Sequence, residues 1–382
     1  MKLVIWLNSL DEHQVHTLRE LGRRLSERIL FIVVFKNLQE RHEQGWGLAD
    51  LKDLDVIEIP KNGFLQFCYK QLKINTKAIH LFGGMWGSGI FPIVIVGAKF
   101  LQIKTGLISE PFSDKALSYY GQVSSLKDKF KVVLRWFLYY TLGALIVRSM
   151  SVVFAISRKA IDQYKSMGCT KEKLFPYGYF VPFIPTVKFS RQIQRQLRLI
   201  FVGSLIERKG IDVLHRAMKR CNDVNAKVTL DVFGPGIWRS GIWGSKNIFY
   251  KGIIPFGEAQ HIISGYDVMV LPSKHDGWGV VVNEALLQGV PVIASDAVGS
   301  SVLIESSGAG AIFRSEDDED LASIILFIIS NKNVVKKWQD SAISIRSAIQ
   351  PSIAAKYLHE SLQYISNEKK IKPVASWYKR II

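Results

Sequence analysis

The chain has 382 residues, 48% hydrophobic and 22% charged, which excludes a disordered segment and suffices for two ordinary domains. Its 50 Lys and Arg against 33 Asp and Glu give a net charge of +17, an excess that favours polyanionic partners: nucleic acid, anionic lipid or diphosphates. Three scattered cysteines (Cys68, Cys169, Cys221) form no CxxC pair, so neither a disulfide framework nor a structural zinc site is expected, and a reducing compartment fits.

The opening MKLVIWLNSLDE is too short an apolar run for a signal peptide and reads as a buried strand. In EHQVHTLRELGRRLSE, Val15, Leu18, Leu21 and Leu25 recur at helical spacing. ILFIVVF predicts a second strand, and AIHLFG, FPIVIVGAKF and TGLISE are further apolar segments. VVFAIS predicts a strand and RKAIDQYKSMG a helix closed by Gly168. Alternation of this kind gives a parallel sheet with helices on both faces. Between these elements lies KDKFKVVLRWFLYYTLGALIVR, with Lys127, Lys129, Lys131 and Arg135 at one end and Trp136, Phe137, Tyr139 and Tyr140 following. Cations beside interfacial aromatics suit a helix lying on an anionic membrane, and a buried helix with a basic end is the alternative. TLGALIVRSMSVVFAIS is interrupted by Arg148 and turns β-branched, so no membrane-crossing helix is expected. With no helix-turn-helix, finger or RNP pattern, nucleic acid is not expected as a partner.

YGYFVPFIPTVKFSRQIQRQ, with Pro182 and Pro185, breaks the alternation. A second alternation begins with LRLIFVG and runs through GIDVLHRAMKRC, KVTLDVFG, NIFYKG, GEAQHIISGY, DVMVLPS, VVVNEALLQG and VPVIASD. The expected division is a first doubly wound α/β domain over 1–182, a linker over 183–197, a second doubly wound α/β domain over 198–350 and a helical tail over 351–382. The acidic run Glu316 to Asp320 reads as a solvated helix start.

Three loops of the second domain could carry chemistry. In LPSKHDGWGVVVNEALLQGVPVIASD a strand ends, a loop holds Asp276, and a helix begins near Gly279 with Glu284 about two turns in. The backbone N–H groups of Gly277, Trp278, Gly279 and Val280 then point out of a helix N-terminus, where an anion binds, with two carboxylates addressing one ligand at different depths. An ordinary N-cap aspartate and a solvent-facing glutamate are the alternative. In FVGSLIERKG, Arg208 and Lys209 stand at a helix start, where the dipole disfavours cations unless something negative such as a diphosphate is present. VFGPG, with Gly234, is another glycine-rich loop after a strand. On the first domain, His80 and Glu110 each close an apolar segment and could reach an acceptor hydroxyl; a core histidine and a capping acid are the alternatives. Asn8 follows the first strand. Asp53 to Asp55 (DLD) imitates a metal-binding acid pair without its surroundings, and no His/Cys cluster suggests a metal.

FVGSLIERKG, VFGPG, YKGIIP and LPSKHDGWGVVVNEALLQGVPVIASD resemble, in order and spacing, the retaining nucleotide-sugar glycosyltransferases of family 4, which have the GT-B fold: two Rossmann-like domains facing across a cleft. The family pattern of two acids with seven residues between them, then G-x-P-V, falls on Asp276 and Glu284, then Gly289, Pro291 and Val292. The resemblance is strong over 197–313 and weak before 152. It implies that Arg208 and Lys209 hold the diphosphate, Glu284 the ribose and Asp276 the transferred sugar, with Gly203, Ser204, Gly234 and the backbone of Gly277 to Val280 completing the donor site. It implies no resident cofactor or metal, a nucleoside-diphosphate sugar as co-substrate, and a closing helix that crosses back onto the first domain. The sequence departs in three places: Asp276 stands where Glu is usual, Ser204 where Arg is common, and LNSLDEHQ replaces the usual glycine-rich loop. The combined expectation is a cytoplasmic hexosyltransferase on the inner membrane face, acting on a lipid-linked glycan in bacterial surface polysaccharide synthesis. Transfer to a soluble acceptor and a catalytically silent GT-B scaffold are the alternatives.

Overall fold

The computed structural model describes residues 1–35, 51–113, 126–186, 196–236, 246–255 and 257–378, with side chains not described at 88 and 126–129. Among these, strands form two wholly parallel sheets. The first has the order β3-β2-β1-β4-β5-β6-β7 and is built from β1 (Leu3–Leu7), β2 (Leu30–Val33), β3 (Asp55–Glu58), β4 (Ile79–Gly83), β5 (Thr105–Ser109), β6 (Val152–Ile156) and β7 (Leu174–Tyr177). The second has the order β10-β9-β8-β11-β12-β13, from β8 (Leu197–Val202), β9 (Val228–Phe233), β10 (Ile248–Tyr250), β11 (Val268–Leu271), β12 (Val292–Ser295) and β13 (Gly310–Phe313). The expected α/β architecture of two doubly wound sheets is the one observed. β8 starts at Leu197, within the segment read as linker.

Strands covered on both faces read as unbroken apolar runs, and β1, β6, β11 and β12 are buried at every position. The helices of the first domain fall into two layers. α1 (Glu12–Gly22) lies on one face, under the C-terminal helix α13 (Pro351–Ile365). α2 (Phe64–Ile74), α3 (Phe91–Phe100), α4 (Leu126–Leu138), α5 (Ala144–Ser149) and α6 (Arg158–Ser166) connect the strands; apart from α4 they contribute to one core on the opposite face. FPIVIVGAKF is therefore a helix, its Pro92 placed in the first turn where a missing N–H costs nothing. A π-helical turn, Tyr139–Gly143, joins α4 to α5. α13 returns to the first domain: its Tyr357 and Tyr364 rings meet Phe175 of β7, and Arg24 donates to the Ser352 carbonyl at 3.3 Å.

One sequence expectation changes here. Residues Phe130–Ser149 form a continuous helix, long and apolar enough to cross a membrane, with 17% of its most apolar window buried inside the protein. Arg148 sits at its end rather than interrupting it, and the β-branched half of the apolar run is β6. The acidic run is also less solvated than its composition suggests. Asp317 caps α11 (Asp318–Ser330), and Asp318 takes Arg216 at 2.8 Å and Arg220 at 2.7 Å.

Candidate active site

The site lies past the carboxyl ends of β8 and β11, where a doubly wound sheet leaves its crevice. β8 leads through Gly203 and Ser204 to a short 3₁₀ turn, Glu207–Lys209, and then to α7 (Ile211–Asp223). Arg208 and Lys209 thus stand one turn ahead of α7 rather than in its first turn. Gly210 makes the junction at φ +69°, and a Cβ there would lie 1.9 Å from the Pro272 carbonyl oxygen. β11 delivers the second loop, Pro272 to Gly279. The two motifs, separate in sequence, are hydrogen-bonded to each other: Lys274 N–H donates to the Arg208 carbonyl at 2.8 Å, and Arg208 Nη1 donates to the His275 carbonyl at 3.0 Å. Buried Lys274 fastens the pair from below through Asp212 at 2.9 Å. The loop around Gly234 closes the other side, so tightly that a Cβ at Gly234 would stand 2.0 Å from the Gly203 carbonyl and 3.4 Å from the Ser204 nitrogen.

Asp276 is buried at the centre. Lys209 Nζ donates to its Oδ2 at 2.6 Å, Ser273 Oγ to the same oxygen at 3.3 Å, and Arg208 Nη1 stands 3.9 Å from Oδ1. Burial works to raise its pKa, but the Lys209 and Arg208 cations outweigh it and hold the carboxyl below its usual value. Its backbone is fixed by the following loop: Asp276 N–H donates to Ala297 and Gly299 N–H to the Asp276 carbonyl. α9 (Val280–Leu287) then begins, its N-cap Gly279 at φ +85°. On α9, burial of the half-buried Glu284 lifts its pKa to about 7. The two carboxylates of the motif therefore differ: cations hold Asp276 charged, whereas burial raises the pKa of Glu284.

The first domain closes over this loop. A Cβ on Gly277 would meet Glu110 Oε2 at 2.0 Å, so the Glu110 carboxylate lies directly on the Gly277 backbone. Trp278 packs its six-membered ring on Gly178, where a Cβ would approach it to 2.3 Å, and meets Phe180 edge-on; its Nε1 donates to Asn283 at 2.9 Å. The tryptophan is thus an anchor between domains, and only its backbone is left to face a ligand. Arg158 pairs with Glu305 at 2.6 Å across the same junction.

The structure brings Gly203, Ser204, Arg208, Lys209, Gly234, Asp276, Gly277 and Glu110 together; Trp278, Gly279 and Val280 follow on the same loop and helix start, and Glu284 lies further along α9. Asn8 is exposed at the end of β1. His80 is a correction. It stands at the second residue of β4, away from the carboxyl ends, and is fully buried. Trp6 Nε1 donates to its Nδ1 at 3.0 Å, and its Nε2 lies 3.1 Å from the Asn75 carbonyl, which fixes the proton on Nε2. Burial pushes its pKa down to about 4. It is a structural histidine without access to the cleft. Asp53 is likewise engaged, taking two 2.7 Å bonds from Arg19. Lys127 and Lys129 have side chains outside the described residues, and Arg135 donates to the Ser113 carbonyl at 3.1 Å.

Sequence reasoning missed three residues. Ser273 sits beside Asp276 and carried only the weak signal of a serine after a strand. Ser157, at the end of β6, adopts φ +89°, ψ 162°, a region nearly reserved for glycine, and its side chain caps α6. Its Cβ stands 2.9 Å from the position a Cβ on Gly299 would take. Gly299 itself supports Gly277; the pair of small residues after β12 was the available clue.

Residues 196–331 match the family model described as glycosyl transferases group 1. The chain is 24% identical over 230 residues to the amylovoran biosynthesis glycosyltransferase AmsK of Erwinia amylovora, covering 56% of each protein. It is 30% identical over 165 residues, 41% of each, to TuaC of Bacillus subtilis, a glycosyltransferase provisionally assigned to teichuronic acid biosynthesis. The chain thus spans about half or less of the length of these curated relatives. In three dimensions it is similar to the apo form of the lipopolysaccharide outer core galactosyltransferase WaaB, with TM-score 0.70 at 15% identity, covering 95% of this chain and 99% of that one. It is similar also to Anabaena HepE in complex with UDP-glucose, with TM-score 0.67 at 14% identity and coverage of 95% and 99%.

Proposed function

We propose that this chain, whose residues 196–331 match the glycosyl transferases group 1 model and whose fold is GT-B, transfers a hexose from a nucleoside-diphosphate sugar with retention of anomeric configuration. The acceptor in this reading is a lipid-linked glycan in surface polysaccharide assembly, handled on the inner face of the cytoplasmic membrane. The observation that carries the reading is the Lys209–Asp276–Arg208 cluster at the mouth of α9, the helix that carries Glu284.

The chemistry follows from the charges. The bond between the anomeric carbon and the diphosphate oxygen breaks with its electron pair leaving on the diphosphate, and the sugar gains oxocarbenium character. Lys209, Arg208 and the helix N-terminus are already fixed where that negative charge develops, which is how a preorganised site lowers a barrier. The two cations supply this stabilisation from the protein itself, so turnover is expected to survive a chelator. Lys209 leaves its bond to Asp276 in part for the phosphate, and Asp276 Oδ1 then turns to a sugar hydroxyl. Glu284 accepts from the ribose hydroxyls. The acceptor oxygen forms the new bond from the face the diphosphate leaves, and its proton passes to the departing phosphate oxygen.

The names of relatives support the polymer class: AmsK is an amylovoran biosynthesis enzyme, WaaB a lipopolysaccharide one, and HepE holds UDP-glucose. A thermal-shift screen with UDP, GDP, ADP, CMP and dTDP tests the donor site. One nucleotide should stabilise the protein saturably and lose that effect in Glu284→Ala; no response to any nucleotide would leave the fold acting as a scaffold. Product analysis then tests stereochemistry, and an inverted linkage overturns the retaining mechanism.

A further inference from the structure

Within the first domain, the two helical layers differ in chemistry. α1 and its covering helix α13 carry acids and bases mixed, with Glu12, Arg19 and Glu20 on the former and Glu360 on the latter. In the opposite layer α6 is mixed too, with Asp162 among Arg158, Lys159 and Lys165, but α2 through α5 are not. The segments 64–77, 91–104 and 126–149 hold ten Lys or Arg and a single acid, Asp128. Their inner sides fill one core through Cys68 and Leu72, Phe91 and Val94, and Ala144 and Val147.

Their outer sides are apolar to an extent that neither core nor cleft explains. On α3, Ile93, Val96 and Phe100 recur at helical spacing and are exposed, Phe100 to 85%. On α2 the same holds for Leu65 and Tyr69, one turn apart. On α4, Val133, Trp136 and Phe137 face outward, and Leu145 continues the strip on α5. Large apolar side chains exposed in strips on neighbouring helices have the character of an interaction site. Exposed Lys73, Lys77, Lys104, Lys131 and Arg148 are interspersed with it or border it. Neighbouring helices are braced: Lys99 Nζ donates to the Ser149 carbonyl, joining the ends of α3 and α5. The Trp86 ring, ahead of α3, meets Tyr139 at 5.7 Å.

We propose that α2 through α5 together form a docking face for an anionic lipid bilayer, with the apolar strips of α2, α3 and the continuous α4–α5 helix entering the interface together and the cations meeting headgroups. Charge complementarity selects the occupant: a protein partner would need an acidic rim around an apolar surface, whereas anionic lipid supplies both layers at once. A single helix such as α4 is a small footprint; three braced helices fix the orientation of the domain. The docked face is tied to the cleft, because Phe112 stacks on Tyr139 at 4.3 Å only two residues from Glu110. The face is independent of nucleotide chemistry, so it stands or falls separately from the transferase reading.

The test is cosedimentation of the full chain, without nucleotide, with vesicles of phosphatidylcholine alone and with about one third phosphatidylglycerol. Binding should require the anionic lipid and fall with added salt. The decisive variant is Ile93→Gln/Val96→Gln/Phe100→Gln, on exposed positions of α3 away from the basic aromatic helix. It should keep the wild-type melting midpoint and bind at least about tenfold more weakly. Lys73→Glu/Lys77→Glu/Lys104→Glu should lose anionic selectivity. Wild-type protein left in the supernatant, or an α3 variant that sediments like wild type, overturns the proposal. So does light scattering that shows a wild-type dimer dissolved by the α3 substitutions, since the face would then be closed by a second copy.

Discussion

Glu284→Gln is expected to stabilise the protein while weakening its donor site. Burial raises the Glu284 pKa from 4.5 to about 7. A rise of that size corresponds to about 3 kcal/mol against the charged form. The side chain is only half-buried, so water relieves part of the penalty and about 1–2 kcal/mol is the expected effect. The sign follows from proton binding. Between pH 4.5 and about 7 the folded state holds a proton that the unfolded state has released. Wild-type stability therefore falls as pH rises through that window, and levels above it. Glutamine removes this dependence. Urea unfolding at pH 5 and at pH 8 should show the variant close to wild type at the lower pH and more stable by about 1–2 kcal/mol at the higher. Ribose hydroxyls donate to the charged form, so nucleotide binding should release a proton near pH 6 in wild type and none in the variant, with weaker affinity. A variant destabilised at pH 8, or a difference independent of pH, would refute the reasoning.

Lys209→Ala should cut turnover by about two to three orders of magnitude. It also removes the main partner of a buried carboxylate, at about 2 kcal/mol, recovered in part by adding Asp276→Asn; turnover near wild type would discard the site. Gly277→Ala should unfold little, because the Glu110 carboxylate that its Cβ would meet ends a flexible side chain, yet should reduce turnover by displacing Glu110. Glu110→Ala in the same chain should make Gly277→Ala nearly neutral, and additive losses would place Glu110 elsewhere. Gly178→Ala meets a packed tryptophan ring instead, and should cost about 2 kcal/mol in chemical denaturation. His80→Ala should lower stability by about 2–4 kcal/mol by opening a cavity and orphaning Trp6 Nε1, with KM unchanged; a KM effect in a stably folded variant would return His80 to the cleft.

The sequence alone determined what depends on local period and spacing. Buried parallel strands need unbroken apolar runs, so LVIWL, VVFAI and VMVL were legible without contacts. Two acids with seven residues between them beside GWG, and RKG after a strand, were legible because a helix N-terminus and a glycine turn are built from neighbours in the chain. Tertiary structure decided everything set by partners distant in sequence. His80 and Glu110 both belong to apolar segments of the first domain, and only the packing separates a histidine held between Trp6 and Asn75 from a glutamate laid on Gly277. The Glu284 shift comes from desolvation by the assembled crevice, which no spacing encodes. The tryptophan of GWG turned out to face Gly178, a residue 100 positions earlier. The basic aromatic helix was visible by composition, but its membership in a three-helix apolar face was not. Exposure belongs to the assembled surface, and α2 and α3 read in isolation are simply apolar.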